Sequence, residues 1–395
     1  MAEAFRILTL NSISTVGLKR FPAGRYVIGN QVENPDAILV RSHDMHPMDI
    51  GAGVKAIGRA GAGTNNIPVA KMSARGVPVF NAPGANANAV KELVIAGLLI
   101  GARNLVPALK FVEGLQGDDA TLNRVVEDGK KHYSGSELPR HTLGVLGLGR
   151  VGSLVADAAI KLGMNVLGYD PHITVDAAWS LPSQVRKAHS VEEVLKGCEF
   201  VTVHVPLLDA TRDLIGAERI RLMKTGAILL NFAREGIVDT DAVLAALAAK
   251  RLKYYICDFP SEKLQGHPQV IALPHLGAST REAEDNCAVM VVDQVREYLE
   301  NGTIENAVNF PDVTMARESP YRLGIANANV PNMVGQISTA MAHAGLNIHT
   351  MINKSRGEMA YTLVDVDSAV PVPLVRQLES IEGVLSVHYL PADQK

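Results

Sequence analysis

Between Thr142 and Pro274 the chain repeats one short theme. The runs TLGVLGL (142–148), NVLGYD (165–170), FVTVHVP (200–206), GAILLNF (226–232), YYICDF (254–259) and QVIALP (269–274) are apolar almost without interruption. A strand with one wet face alternates apolar and polar residues; a strand covered on both faces need not. Between the first two runs, Val151, Leu154, Val155, Ala158, Ala159 and Leu162 recur at helical spacing. Strand and helix in alternation specify a doubly wound parallel sheet with helices on both faces.

The first ninety or so residues repeat this rhythm more loosely. AILVRS, KAIGRAG and VPVFNAP read as strand ends followed by loops, and a helix is expected from about Val90 to Leu105. Past Asn301 the texture changes. NGTIENAVNFPDVTMARESPY holds no period and reads as a linker. After it come RLGIANANV, a helical NMVGQISTAMAHAGLN, a strand MAYTLVDVD, a helix PVPLVRQLESI and a strand VLSVHYL, a small α+β unit. At roughly 100–200 residues per domain, 395 residues fit this count of two or three domains.

Composition narrows the class. A net charge of −3 gives no electrostatic reason to bind nucleic acid or an anionic membrane. The start, MAEAFRILTLNSIS, lacks the basic and long apolar regions of a signal peptide, and the longest apolar run, Leu93–Ala102, is far short of the ~20 residues that span a bilayer. The three cysteines are widely spaced, so neither a disulfide framework nor a metal site is expected. A soluble, cytoplasmic protein is the expectation.

Gly147-Leu148-Gly149-Arg150-Val151-Gly152 forms a GxGxxG. In a chain with 34 glycines that pattern alone is weak. Here a strand precedes it, a helix follows, and Asp170 closes the next strand, which is the context a dinucleotide fingerprint requires. Gly147 permits the turn, Gly149 lets backbone approach a pyrophosphate, and Gly152 lets helix and strand pack closely. The pyrophosphate would rest on free N–H groups of Arg150 and Val151 at the helix N-terminus. Asp170 can accept both ribose hydroxyls and would repel a 2′-phosphate, so NAD is expected rather than NADP.

Three polar residues follow strands of this sheet: Arg234 after ILLNFA, Glu262 after CDFPS and His275 after IALP. Ligands of open α/β sheets bind beyond the carboxyl ends of strands. Taken singly, the arginine could be a surface ion pair, the glutamate solvated, the histidine a packed or capping residue. Behind a cofactor fingerprint they fit hydride transfer from a hydroxy acid. His275 would take the hydroxyl proton, Arg234 would grip the carboxylate with its planar fork, and Glu262 would hold the imidazole in its working tautomer.

GVLGLGRVG, YDP, HVPLLDATRDLI, NFAREGIVD and ALPHLGAST together resemble the D-isomer-specific 2-hydroxyacid dehydrogenase family, over residues 35–310. The resemblance implies an α/β fold: a Rossmann-type NAD domain (91–276) inserted in a smaller flavodoxin-like substrate domain (1–90 and 277–315). It implies Arg234, Glu262 and His275 as the catalytic set. It places His204, Val205, Pro206, Thr211, Ala233 and Gly277 along the cofactor and Asp258 near the nicotinamide, although CDFPSEK sets its aspartate one place later than the family's DVFxxEP. GRAGAGTNNIPV resembles the family's carboxylate loop, with Ala62, Gly63 and Thr64 at the anion. Arg41 falls where relatives meet a substrate phosphate, and Asn86 near the cofactor phosphates, a helix N-cap being its rival role.

The tail, NANVPNMVGQISTAMAHAGLNI with MAYTLVDVD, resembles an ACT domain, placed at 322–395. A tail of this kind is similar to that of family members that oxidise 3-phospho-D-glycerate, so a phosphorylated 2-hydroxy acid is the expected substrate. Asn329 and Asn347 match positions that hold an L-serine effector in such relatives. Reductases of glyoxylate, hydroxypyruvate or 2-oxoglutarate, and NAD-sensing corepressors, share the core motifs and stand as alternatives. A homodimer or homotetramer is expected.

Overall fold

In the computed structural model, which describes residues 4–392, the chain begins with a parallel sheet. Its strands are β1 (Phe5–Leu10), β2 (Tyr26–Gly29), β3 (Ala37–Val40), β4 (Ala56–Arg59) and β5 (Val79–Phe80), in the order β2-β1-β3-β4-β5. Chain direction across the sheet reverses between β1 and β3, so the loops after these strands flank a crevice at their carboxyl ends. The helix Arg281–Asn301 lies on the sheet. Gly58 makes the fit possible: a Cβ there would fall 2.7 Å from Val291 and 2.9 Å from Val295.

The dinucleotide fingerprint sits in a second parallel sheet. Its strands are β6 (Thr142–Leu146), β7 (Asn165–Tyr169), β8 (Val185–Lys187), β9 (Phe200–Val203), β10 (Ala227–Asn231), β11 (Leu252–Cys257) and β12 (Val270–Ala272). The order is β12-β11-β10-β9-β6-β7-β8, reversing between β6 and β9. β9 and β10 are buried at every position, as their unbroken apolar runs require. The strands stop short of the runs because Gly147, with φ of 91°, and Pro206 cannot continue a ladder. The helix Arg150–Lys161 buries Gly152, Val155, Ala156 and Ala159, while Leu154 and Leu162 of the expected stripe are exposed. Small side chains win the inner face because the helix Ala87–Arg103 packs closely against it.

The last sheet is antiparallel: β13 (Tyr321–Ala328), β14 (Ile348–Arg356), β15 (Met359–Val366) and β16 (Val384–Pro391), ordered β14-β15-β13-β16. On one face Leu323, Ile325, Val364 and Val366 form a core with the helices Met333–His343 and Val372–Glu379. On the other, Ala326, Tyr361 and Leu363 join the core built around Arg281–Asn301. This α+β module with two helices on one face is ACT-like. β14 is not visible in the sequence because an edge strand with exposed residues carries no strong apolar pattern.

The supposed linker is a correction. Ile304, Ala307, Phe310, Val313 and Met315 are buried, Ile304 pairs with Val313, and Ala307 pairs with Phe80. It lacks a period because it winds through a core as irregular chain rather than crossing solvent. Met1–Asn86 with Arg281–Lys395 form one unit, and Ala87–Thr280 a second. Among the described residues no single helix is long and apolar enough to cross a membrane.

Candidate active site

The fingerprint glycines meet three different demands. Gly147 lies in the left-handed region, and a Cβ on it would sit 2.7 Å from the His204 carbonyl oxygen. A Cβ on Gly152 would sit 1.9 Å from the Gly147 carbonyl oxygen, so that position is closed to any side chain. A Cβ on Gly149 would meet nothing within 4 Å. The protein does not fill the space beside Gly149; a ligand approaching the backbone would. Gly149 is also the N-cap of Arg150–Lys161, without a side-chain cap, so N–H groups of the first turn are left for an anion.

Asp170 follows β7 and fastens the cradle. Its Oδ2 accepts from the Leu148 N–H at 2.9 Å and its Oδ1 from the His172 N–H at 2.9 Å. Across the switch point, the His204 N–H donates to the Leu146 carbonyl at 2.7 Å. The His204 ring lies 3.0 Å from the Thr202 hydroxyl through Nε2, and burial pushes its pKa down to about 4, so it is neutral. Thr211 shapes the next loop: its hydroxyl donates to the Pro206 carbonyl at 2.5 Å and accepts from the Leu208 N–H at 2.8 Å. Val205 and Pro206 thus lie in a loop tied down at both ends. The open space beside Gly149 and the uncapped first turn fit the pyrophosphate of a dinucleotide.

The loop after β10 carries Arg234. Asn231, buried at the strand's last position, spans that turn: its Oδ1 accepts from the Ala233 N–H at 3.1 Å and its Nδ2 donates to the Arg234 carbonyl at 2.9 Å. The Arg234 guanidinium is exposed, its Nη1 resting on the Ala233 carbonyl at 2.6 Å. Sequence reasoning had not singled out Asn231; its position before Ala-Arg in NFAR was the signal.

His275 is exposed and takes a φ of 56°, a left-handed conformation that only a few per cent of non-glycine residues adopt. Its ring meets Phe259 edge-on at 5.3 Å. Among the described residues no hydrogen bond joins it to Glu262. That glutamate opens a short 3-10 turn (Glu262–Leu264) and lines a cleft of about 440 Å³ with Pro260, Ser261 and Val270. Lys263, where the family has proline, pairs with Asp241 at 2.7 Å. Asp258 is 1% exposed, and its two oxygens accept from Leu276 and Gly277, each at 2.7 Å.

In the first unit, Arg41 follows β3 and pairs with Glu284 at 2.7 Å. Arg59 ends β4 in register with Val40, and its guanidinium occupies the space beside Gly61. Among the described residues the N–H groups of Ala62, Gly63 and Thr64 make no hydrogen bond, while the Ala62 carbonyl accepts from Asn81 at 2.5 Å. Asn86 directly precedes the helix Ala87–Arg103 and is half-buried. In the ACT-like module, Asn329 donates through Nδ2 to the Gly357 carbonyl at 3.0 Å, bracing the β14–β15 turn. The Asn347 N–H donates to Asp367 Oδ1 at 3.1 Å.

A glycine cradle at the switch point of a parallel sheet, with an acid closing the second strand, defines a dinucleotide-binding scaffold. The family model for the D-isomer specific 2-hydroxyacid dehydrogenase NAD binding domain matches residues 106–277. A D-3-phosphoglycerate dehydrogenase of Methanocaldococcus jannaschii is 34% identical over 85% of this chain and 62% of its own length. Its counterpart in Haemophilus influenzae is 33% identical over 85% of this chain and 81% of its own. The crystal structure of NAD+-bound 3-phosphoglycerate dehydrogenase from Entamoeba histolytica superposes with a TM-score of 0.60 at 25% identity, covering 77% of this chain and 98% of that one. The chain belongs to the D-isomer-specific 2-hydroxyacid dehydrogenase family. Its cofactor is NAD. This chain spans less than two thirds of the Methanocaldococcus relative's length.

Proposed function

We propose that the chain oxidises 3-phospho-D-glycerate to 3-phosphohydroxypyruvate, the entry step to serine. The observation that carries this reading is the cationic, amide-rich carboxyl end of the first sheet. Arg41, paired with Glu284, follows β3; Arg59 ends the adjacent β4; and the amides of Ala62, Gly63 and Thr64, which make no hydrogen bond among the described residues, come next. A substrate with a carboxylate and a phosphate needs more positive charge than glyoxylate or lactate would, and backbone amides with arginine forks suit both groups.

Bound NAD supplies the hydride acceptor. His275 takes the C2 hydroxyl proton. Arg234 holds the carboxylate and polarises the forming carbonyl. Glu262 serves as the carboxylate partner of the imidazolium, a contact of the kind that tightens only in the substrate complex. Steady-state kinetics with 3-phosphoglycerate, hydroxypyruvate, glyoxylate and 2-oxoglutarate test the substrate. A kcat/KM for any unphosphorylated acid above that for the phosphorylated pair overturns the assignment. His275→Ala is expected to abolish turnover and leave NADH binding intact.

L-serine is the proposed effector, held near Asn329 and Asn347, in a homodimer or homotetramer. A rate unchanged up to millimolar serine sinks the effector assignment, and sedimentation gives the assembly.

A further inference from the structure

We infer that Asp258 is a positioning residue that sets the place and direction of His275, rather than a group that touches the cofactor. The inference rests on the proposed role of His275. The residue before Asp258, Cys257, is the last of β11, and Asp258 is buried to 1% exposure. A carboxylate this deep is costly unless its lone pairs are satisfied. Here each oxygen takes one N–H: Oδ1 that of Leu276 and Oδ2 that of Gly277, both at 2.7 Å. Charge-assisted bonds of this length are the strong kind. The two donors are the first two amides after His275. Holding both fixes where the chain goes on leaving the histidine, and so helps keep His275 at φ 56°. A left-handed histidine persists only where its surroundings over-determine it.

The frame extends one strand further. The Asp258 N–H donates to the Asn231 carbonyl at 3.2 Å, and Asn231 spans the turn that carries Arg234. The loops bearing the proton acceptor and the carboxylate grip are therefore referred to one buried pair at the ends of neighbouring strands. Gly277 belongs to the same fit: a Cβ there would approach Asp258 Oδ2 to 3.1 Å. The sequence shift that places an aspartate second in CDF is what brings this carboxylate under the loop.

The test is Asp258→Asn in the full-length protein, with Asp258→Glu as a second variant should the first unfold. An asparagine offers one acceptor and turns an NH2 toward the other N–H; a glutamate keeps the charge but moves its oxygens by a methylene. The expected result is a kcat lower by up to ~100-fold, the scale of a reacting group misplaced by about 1 Å. The pH profile of kcat should shift, while the NADH dissociation constant, read by fluorescence, stays within about twofold. Wild-type kcat in both variants overturns the inference. So does NADH affinity that falls in step with kcat, which would make Asp258 a cofactor contact. His275→Ala is measured alongside: if that variant turns over normally, the base assignment fails, whatever Asp258 does.

Discussion

Arg322 and Asp365 form a bidentate ion pair with neither side chain more than 1% exposed. Arg322 Nε and Nη2 meet the two carboxylate oxygens at 2.6 and 2.8 Å, and its remaining donors reach the carbonyls of Asn301, Met315 and Ala316. One arginine thus ties β13, β15, the end of the long helix and the irregular segment together. Breaking such a pair leaves a buried charge alone, at a cost of ~3–5 kcal/mol, whereas replacing both partners by apolar groups costs far less. Asp365→Asn should lower the unfolding free energy by that amount in denaturant titration, and Arg322→Met with Asp365→Leu should recover only part of it, because the carbonyls of Asn301, Met315 and Ala316 lose their donor.

Two glycines of the fingerprint should respond in opposite ways to the same methyl group. Gly149→Ala meets no protein atom, so the melting temperature is expected to hold while NADH binding weakens roughly tenfold or more, about 1.4 kcal/mol. Gly152→Ala drives a Cβ against the Gly147 carbonyl and should cost at least ~1–3 kcal/mol of stability as well. Equal melting losses in the two variants would contradict the cradle.

Stability should fall on the acid side before carboxylates titrate. Burial pushes the pKa of His388 down to about 4, with Lys55 acting in the same direction, and His204 is likewise held near 4. In the unfolded chain a histidine takes its proton near pH 6.5. Between those values the unfolded state binds more protons, so stability drops as pH falls from 6.5 toward 4, by up to ~1.4 kcal/mol per unit for each histidine. Chemical denaturation at stepped pH should show a shallower acid slope in His388→Phe; an unchanged slope would refute the assignment.

Asp170 should act on both cofactor choice and cradle. Asp170→Ser removes the charge that repels a 2′-phosphate and the acceptor that holds the Leu148 N–H. The kcat/KM for NAD should fall by about tenfold or more, while that for NADP falls less or rises, so the preference narrows.

Much of this structure could be read in advance where burial acts on many residues at once. The runs that became β6, β9, β10 and β11 were legible because a strand covered on both faces must be apolar throughout. The glycine spacing was legible because each glycine answers a steric demand set by backbone alone. Asn231 was not, and Asp258 was named only by resemblance, near the nicotinamide, without the contacts it makes. Their roles lie in hydrogen bonds to main-chain groups, and in the case of Asp258 to groups distant in sequence. Glu262 was picked by pattern, and what the structure adds is local: it opens a short 3-10 turn and lines a cleft with Pro260, Ser261 and Val270. The segment after Asn301 looked like a tether because irregular buried chain has no period to detect.

The shared core under the ACT-like sheet has a practical corollary. Tyr361 donates to the Gly302 carbonyl at 2.9 Å, and its ring lies 6.4 Å from that of Tyr298 on the long helix. Ser386 reaches the Gly76 carbonyl at 3.1 Å. A protein shortened at Pro320 would therefore not be a catalytic core freed of an accessory. It would be a cavity mutant on a large scale, with Tyr298 newly wetted, and its kinetics would report that damage before they reported any lost control.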